Sequence, residues 1–215
     1  FFNGFHNEYW DYFMMIFSDR FVWVPFYASF IFVLLKNFPV KVVMSTIVVI
    51  TLIILFSDQT ASGILKPLVA RMRPSNPDNP ISPMVHVVQG YRGGRYGFPS
   101  SHAANAWSMA FFAQYLVRRS KLTIFLCLWA LITSYSRMYL GVHYFGDLMI
   151  GTLIGFLYAT LYYYIFQYFL RKHTERFKPN HDIRFASVPI ITGLVSIWVI
   201  ICTSGILSFY SIPLR

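Results

Sequence analysis

Apolar positions along the chain gather into six blocks: Phe21–Leu35, Val42–Phe56, Ala103–Val117, Leu122–Tyr135, Phe145–Leu170 and Val188–Tyr210. Several are shorter than the roughly 20 residues that carry a helix across a bilayer. The second continues through small polar residues towards Lys66, the third and fourth extend by a few residues at their ends, and helix bundles in lipid tolerate Ser, Thr and Gly. Pro25 and Pro189 stand near block starts, where a helix has no N–H bond to lose. The pattern predicts an all-α protein, a six-transmembrane-helix bundle forming one domain over 1–215. Ahead of it, Phe1–Ser18 reads as an amphipathic segment lying at the membrane surface, with Tyr9, Trp10, Tyr12 and Trp23 as an aromatic belt. Glu8, Asp11 and Asp19 give Phe1–Arg20 the wrong charge for a cleavable signal peptide. Residues 57–101 are expected as a long loop and cap between spans two and three.

Composition strengthens the membrane reading. Apolar residues make up 56% and charged residues 12%, against roughly 25% charged in soluble domains. The formal charge of +10 does not imply nucleic acid, because the basic residues sit between apolar blocks. That placement points to membrane topology and anionic lipid phosphate. Cys127 and Cys202 both lie inside apolar runs and carry no pairing signal.

Loops after spans one, three and five hold Lys36, Lys41, Arg118, Arg119, Lys121, Arg171, Lys172, Arg176, Lys178 and Arg184. The opposite side holds the remaining cations, including Lys66, Arg73 and Arg137. The positive-inside rule therefore puts both termini outside the cytoplasm. By parity, Ser57–Ser101 and Ser136–Asp147 then share the extracytoplasmic face.

Three motifs lie on that face. Lys66 and Arg73, followed by Pro74, are seven positions apart at the end of span two and can approach one anion, Arg73 with a planar fork. The same residues also suit a basic stop at an interface. Pro99-Ser100-Ser101-His102 opens span three, where a capping hydroxyl and free N–H groups form an anion site. A plain helix cap with an interfacial histidine is the alternative. Finally, Ser136-Arg137 precedes His143 and Asp147, which are four apart and share a helical face. A carboxylate on one ring nitrogen sharpens the other as a nucleophile, although this spacing also fits half a metal site. Three cations, a helix N-terminus, two histidines and a carboxylate on one face suit phosphoryl transfer.

These residues resemble the type 2 phosphatidic acid phosphatases, whose pocket is shared with vanadium haloperoxidases. The family pattern is K-x6-R-P, P-S-G-H and S-R-x5-H-x3-D. Ten of its eleven specified residues stand here in order and at the right spacing, over roughly Phe21 to Tyr210. Ser101 replaces the usual Gly, which matters only if that position needs a positive φ. The resemblance implies that His143 attacks phosphorus, that Asp147 orients it, and that His102 protonates the leaving group and then activates water. It implies that Lys66, Arg73, Ser100, the Ser101 N–H and Arg137 hold the phosphate oxygens, with no metal or other cofactor.

Family members act on phosphatidic acid, phosphatidylglycerol phosphate, undecaprenyl pyrophosphate and lipid A. An outward-facing pocket favours the last two and implies a bacterial inner membrane with the site towards the periplasm. A lipid phosphotransferase using the same intermediate stays open, as does an anion-binding transport protein. Pro74–Gly97, rich in Pro and Gly, is either a headgroup cap or a connecting loop, and its length favours a role. Arg71, Arg92 and Arg95 fall outside the pattern; they suit contact with substrate or with the lipid surface, and the lipid surface is the favoured expectation.

Overall fold

A computed structural model describes residues 3–173 and 183–213, the last three residues of the first stretch by backbone alone. Arg176 and Lys178 of the charge count, and Phe1 and Phe2 of the expected surface segment, lie outside the described residues. The elements are α1 (Glu8–Phe17), α2 (Val24–Asn37), α3 (Val40–Asp58), α4 (Lys66–Val69), α5 (Ser101–Val117), α6 (Ser120–Tyr139), α7 (Phe145–His173) and α8 (Val188–Tyr210). The described residues contain no strand beyond one isolated bridge, Met72 with Tyr96. The protein is all-helical, and each of the six apolar blocks falls on a helix.

Among the described residues, four helical runs are long and apolar enough to cross a membrane: Val40–Val69, Ser120–Tyr139, Phe145–Leu170 and Val188–Tyr210. A fifth arises if α1 and the run Arg20–Asn37, bent by 62°, count as one span. Short length sets α2 and α5 apart. At 1.5 Å per residue, the 14 residues of α2 reach about 21 Å and the 17 of α5 about 26 Å, against a hydrocarbon core of about 30 Å.

The expected loop over 57–101 is partly helical. Small polar residues after Phe56 continue α3 through a π-helical stretch, Gln59–Leu65, into α4, so the irregular segment begins only at Ala70. This extension carries Lys66 on a helix end.

Helices α5 and α7 pack closest where α7 presents Gly151 and Gly155. A Cβ on Gly155 would come 2.6 Å from the Ala104 carbonyl, and one on Gly151 would collide with the Ser100 carbonyl. This small-x-x-x-small seam lets the two backbones touch. It also brings the start of α7 beside the start of α5, and with it Asp147 beside Ser100.

The amphipathic N-terminal segment buries one face. Helix α1, capped by Asn7, buries Tyr12, Phe13, Met14 and Phe17 while Trp10 stays exposed. It leans on α6 and α8. An aromatic seam continues inward through Phe17, Trp23, Phe26 and Trp129 in edge-to-face or tilted pairs, each worth about 0.5–1.5 kcal/mol beyond its buried area. Polar contacts then tie α1 to the irregular segment and to the end of α6. Asp11 accepts from Tyr139 Oη at 2.8 Å and pairs with His86 Nε2 at 2.8 Å, while His6 stacks on His86 at 3.6 Å.

Residues 70–100 form a stitched cap. Its ends lie antiparallel, with Arg73 N donating to Arg95 O at 3.3 Å and Gly97 N to Arg71 O at 2.8 Å. Asn79, buried, donates through Nδ2 to Arg73 O and Tyr144 Oη, both at 2.9 Å. Ser75 N donates to Gly141 O at 3.0 Å, which pins the cap to the turn between α6 and α7. Buried backbone groups demand partners, and these contacts supply them without regular structure.

Candidate active site

The three motifs meet at one end of the bundle. His143 sits in the short turn between α6 and α7, is only 3% exposed, and lies beside the fully buried Asp147 in the first turn of α7. Its Nδ1 is 3.2 Å from Asp147 Oδ2, and that oxygen also accepts the Tyr144 backbone N–H at 2.8 Å. A carboxylate only accepts, so the ring proton belongs on Nδ1. The other nitrogen, Nε2, then offers its lone pair to Arg73 Nη1 at 3.3 Å. This is the tautomer and orientation that a nitrogen nucleophile requires.

The cations converge from three elements. Arg73 is buried and held by donation from Nε to Tyr96 O at 3.1 Å and from Nη1 to Val142 O at 3.3 Å. Gly97 permits this, because a Cβ there would come 3.3 Å from Arg73 Cγ and 3.2 Å from Asp147 Oδ2. Lys66, at the end of the π-helical stretch, donates to Ser62 Oγ at 2.9 Å and Ser101 Oγ at 3.3 Å. Arg137, 2% exposed in the last turn of α6, donates from Nη2 to Tyr91 Oη at 2.8 Å, and its buried Nε has no acceptor. A buried guanidinium donor without an acceptor is costly unless a ligand completes it.

Helix α5 contributes its free end. Ser100 caps it with φ −81°, accepting from Ala103 N at 3.3 Å. Its own N–H donates to Asp147 O at 2.9 Å. Ser101 is the first helical residue and is absent from the positive-φ positions, so serine in place of glycine brings no backbone strain. His102 follows, exposed at the mouth of the site.

Burial first, and then the charges of Arg73 and Arg137, hold the His143 imidazole well below the usual histidine range, so it is neutral near pH 7. Burial and the neighbouring Arg137 charge likewise push Arg73 below its usual range. The arrangement therefore offers a neutral nitrogen nucleophile inside an excess of positive charge. Such a donor set suits a dianion better than a metal ion.

Two of the three arginines expected at the lipid surface are bound into the protein. Arg71 pairs with Asp147 Oδ1. Arg92 donates to Ser75 O and to Ser82 Oγ at 3.1 Å, bracing the cap. Arg95 is exposed, with its guanidinium 5.5 Å from the Tyr96 ring. Tyr91 was not singled out from sequence, and neither was the Gly151–Gly155 seam, although its spacing was readable.

Comparison with known proteins matches the PAP2 superfamily over residues 44–171, which contain every residue of this site. Over 204 residues the chain is 45% identical to the lipid A 4'-phosphatase of Bacteroides thetaiotaomicron, covering 92% of this chain and 89% of that protein. It is 34% identical over 167 residues to the lipid A 4'-phosphatase of Porphyromonas gingivalis, covering 77% and 70%. A more distant relative, 27% identical over 171 residues, is a dihydrosphingosine 1-phosphate phosphatase of Schizosaccharomyces pombe, with 70% and 39% covered. No solved structure matches.

Proposed function

The chain belongs to the PAP2 superfamily and is a membrane lipid phosphatase, and from that premise we propose that it removes a phosphate from lipid A by way of a phosphohistidine. The observation that carries the mechanism is the ring of His143, protonated towards Asp147 and presenting Nε2 to Arg73. Nε2 attacks phosphorus, the bond from phosphorus to the sugar oxygen breaks, and His102 gives that oxygen its proton. Neutral His102 then takes a proton from water, whose oxygen attacks the phosphohistidine. The P–N bond breaks and inorganic phosphate leaves. Lys66, Arg73, Arg137, Ser100 and the Ser101 N–H hold the phosphoryl oxygens, where preorganised charge lowers the barrier most.

Lipid A stands ahead of undecaprenyl pyrophosphate because relatives at 45% and 34% identity carry the name lipid A 4'-phosphatase, and by analogy the 4'-phosphate is the group removed. In this reading α2, α3, α5, α6, α7 and α8 all cross the membrane, the bent entry and the short α2 and α5 being accommodated by local thinning. The N-terminal segment lies along the outer interface, and the site faces the periplasm of a bacterial inner membrane. The excess of Lys and Arg at the other end of the bundle supports that orientation.

The test is phosphate release by purified protein in detergent with a chelator present, offered lipid A, undecaprenyl pyrophosphate and phosphatidic acid in parallel. Lipid A is expected to be hydrolysed fastest, at the 4' position, and the chelator to leave the rate unchanged. Preference for either other lipid would contradict the substrate assignment. Inhibition by chelator that added metal reverses would contradict metal-free chemistry.

A further inference from the structure

Arg71 lies outside the family pattern, yet it reaches the centre of the site. The segment Arg71–Arg73 runs antiparallel to Arg95–Gly97 with Met72 bridged to Tyr96, and alternate residues of an extended stretch share a face. Arg73 and Arg71 therefore leave on one side, and they grip the two ends of a single chain of groups. Arg73 Nη1 meets His143 Nε2 at 3.3 Å, His143 Nδ1 meets Asp147 Oδ2 at 3.2 Å, and Asp147 Oδ1 pairs with Arg71 Nη2. The Arg71 guanidinium is itself clamped by two rings, 4.6 Å from the Phe98 centroid and 5.2 Å from that of Tyr144. Both rings neighbour motif residues in the chain. Its side chain is 38% exposed while Asp147 is 0% exposed.

Resting on the phosphohistidine reading above, we infer that Arg71 is a positioning residue for the reaction, holding Asp147 by one oxygen so that the other keeps His143 in its attacking orientation and neutral state. A fully buried carboxylate is expensive without a compensating charge. The Tyr144 N–H at 2.8 Å and Arg71 fix the carboxylate at two points, leaving little freedom to rotate from the ring. Arg71 also draws on the negative charge that would otherwise stabilise an imidazolium at His143. The other charged or titratable groups facing that ring are Arg73, Arg137, His102, Lys66 and Asp147 itself. Among these only Asp147 favours protonation, so control of its charge controls the acid limb of the reaction.

The measurement is kcat and KM against pH on lipid A for wild type, Arg71→Gln and Arg71→Lys, with vanadate binding as the check on the folded pocket. Arg71→Gln is expected to lower kcat about tenfold or more with little change in KM. Its acid limb should move to higher pH by about one unit, as expected for losing one charge near the dyad. Arg71→Lys keeps the charge but not the fork, so its acid limb stays at the wild-type position while kcat falls. An acid limb in Arg71→Gln that matches wild type overturns the inference, whether activity is full or uniformly reduced, because a merely structural ion pair would not move it. If Arg71→Gln does not fold, an acid limb displaced upward in Arg71→Lys overturns it equally. Wild type that releases nothing from lipid A contradicts the proposed function instead, so the two failures remain distinct.

Discussion

Replacing His143 with alanine is expected to lower phosphate release by at least about 10⁴-fold, the scale seen when the nucleophile of a covalent mechanism is removed. Substrate or vanadate binding is expected to survive, because the buried cations, not the imidazole, supply most of the attraction for a dianion. The residue is 3% exposed and its neighbours Arg73 and Val142 are held by the cap, so the loss would be chemical rather than a collapse of the fold. Turnover and equilibrium binding measured on the same preparation separate the two effects. The pH dependence carries a sign as well. The reactive form is neutral, and His143 is held well below the usual histidine range by burial and by Arg73 and Arg137. Protonation of the free enzyme's nucleophile therefore begins only below the pH of about 6.5 at which an ordinary histidine titrates. A rate that halves near that pH through this group would contradict the electrostatic picture.

His102→Ala is the second large effect, and its size depends on the leaving group. A positioned general acid contributes about 10²–10⁴-fold, most where the departing oxygen is most basic. Loss on lipid A, whose leaving group is a sugar alcohol, is expected to exceed loss on an aryl phosphate by at least about tenfold, since a phenolate departs with little help. Rates of both substrates for wild type and variant measure this directly. Equal losses would assign His102 to binding alone. Its place at the exposed mouth of the site, one residue inside the first turn of α5, suits a group that must meet a leaving oxygen on entry and a water molecule afterwards.

Much of this site was legible before any fold was known, because phosphate chemistry dictates residue types and helix geometry dictates spacing. The four-residue spacing of His143 and Asp147 is read as one helical face; His143 instead lies in the turn two residues ahead of α7, and the structure still brings Nδ1 to 3.2 Å from the carboxylate. Ser100 or Ser101 reads as a cap from its position before an apolar run, and the structure selects Ser100. Helix extent was legible in part: the second block reads as continuing past Phe56 through small polar residues towards Lys66, and the backbone does so through Gln59–Leu65, but nothing in the pattern marks that stretch as π-helical.

Tertiary partners left the weakest trace. Arg71 and Arg73 are both arginines near an interface, and nothing in local sequence says that one grips a carboxylate from behind. That depends on the antiparallel pairing of Arg71–Arg73 with Arg95–Gly97, some two dozen residues away. Nor does local sequence tell that Asp11 meets Tyr139 and His86.

The central claim is a covalent bond from phosphorus to His143, and trapping that bond tests it most directly. Lipid A labelled with ³²P at the 4' position is mixed with enzyme, quenched in alkali within a turnover, and the protein is digested and mapped. The account predicts label that is stable in alkali and lost in acid, as a phosphoramidate is, located on the peptide bearing His143 and missing from His143→Ala. Turnover without label on the protein, or label on any other residue, would contradict it.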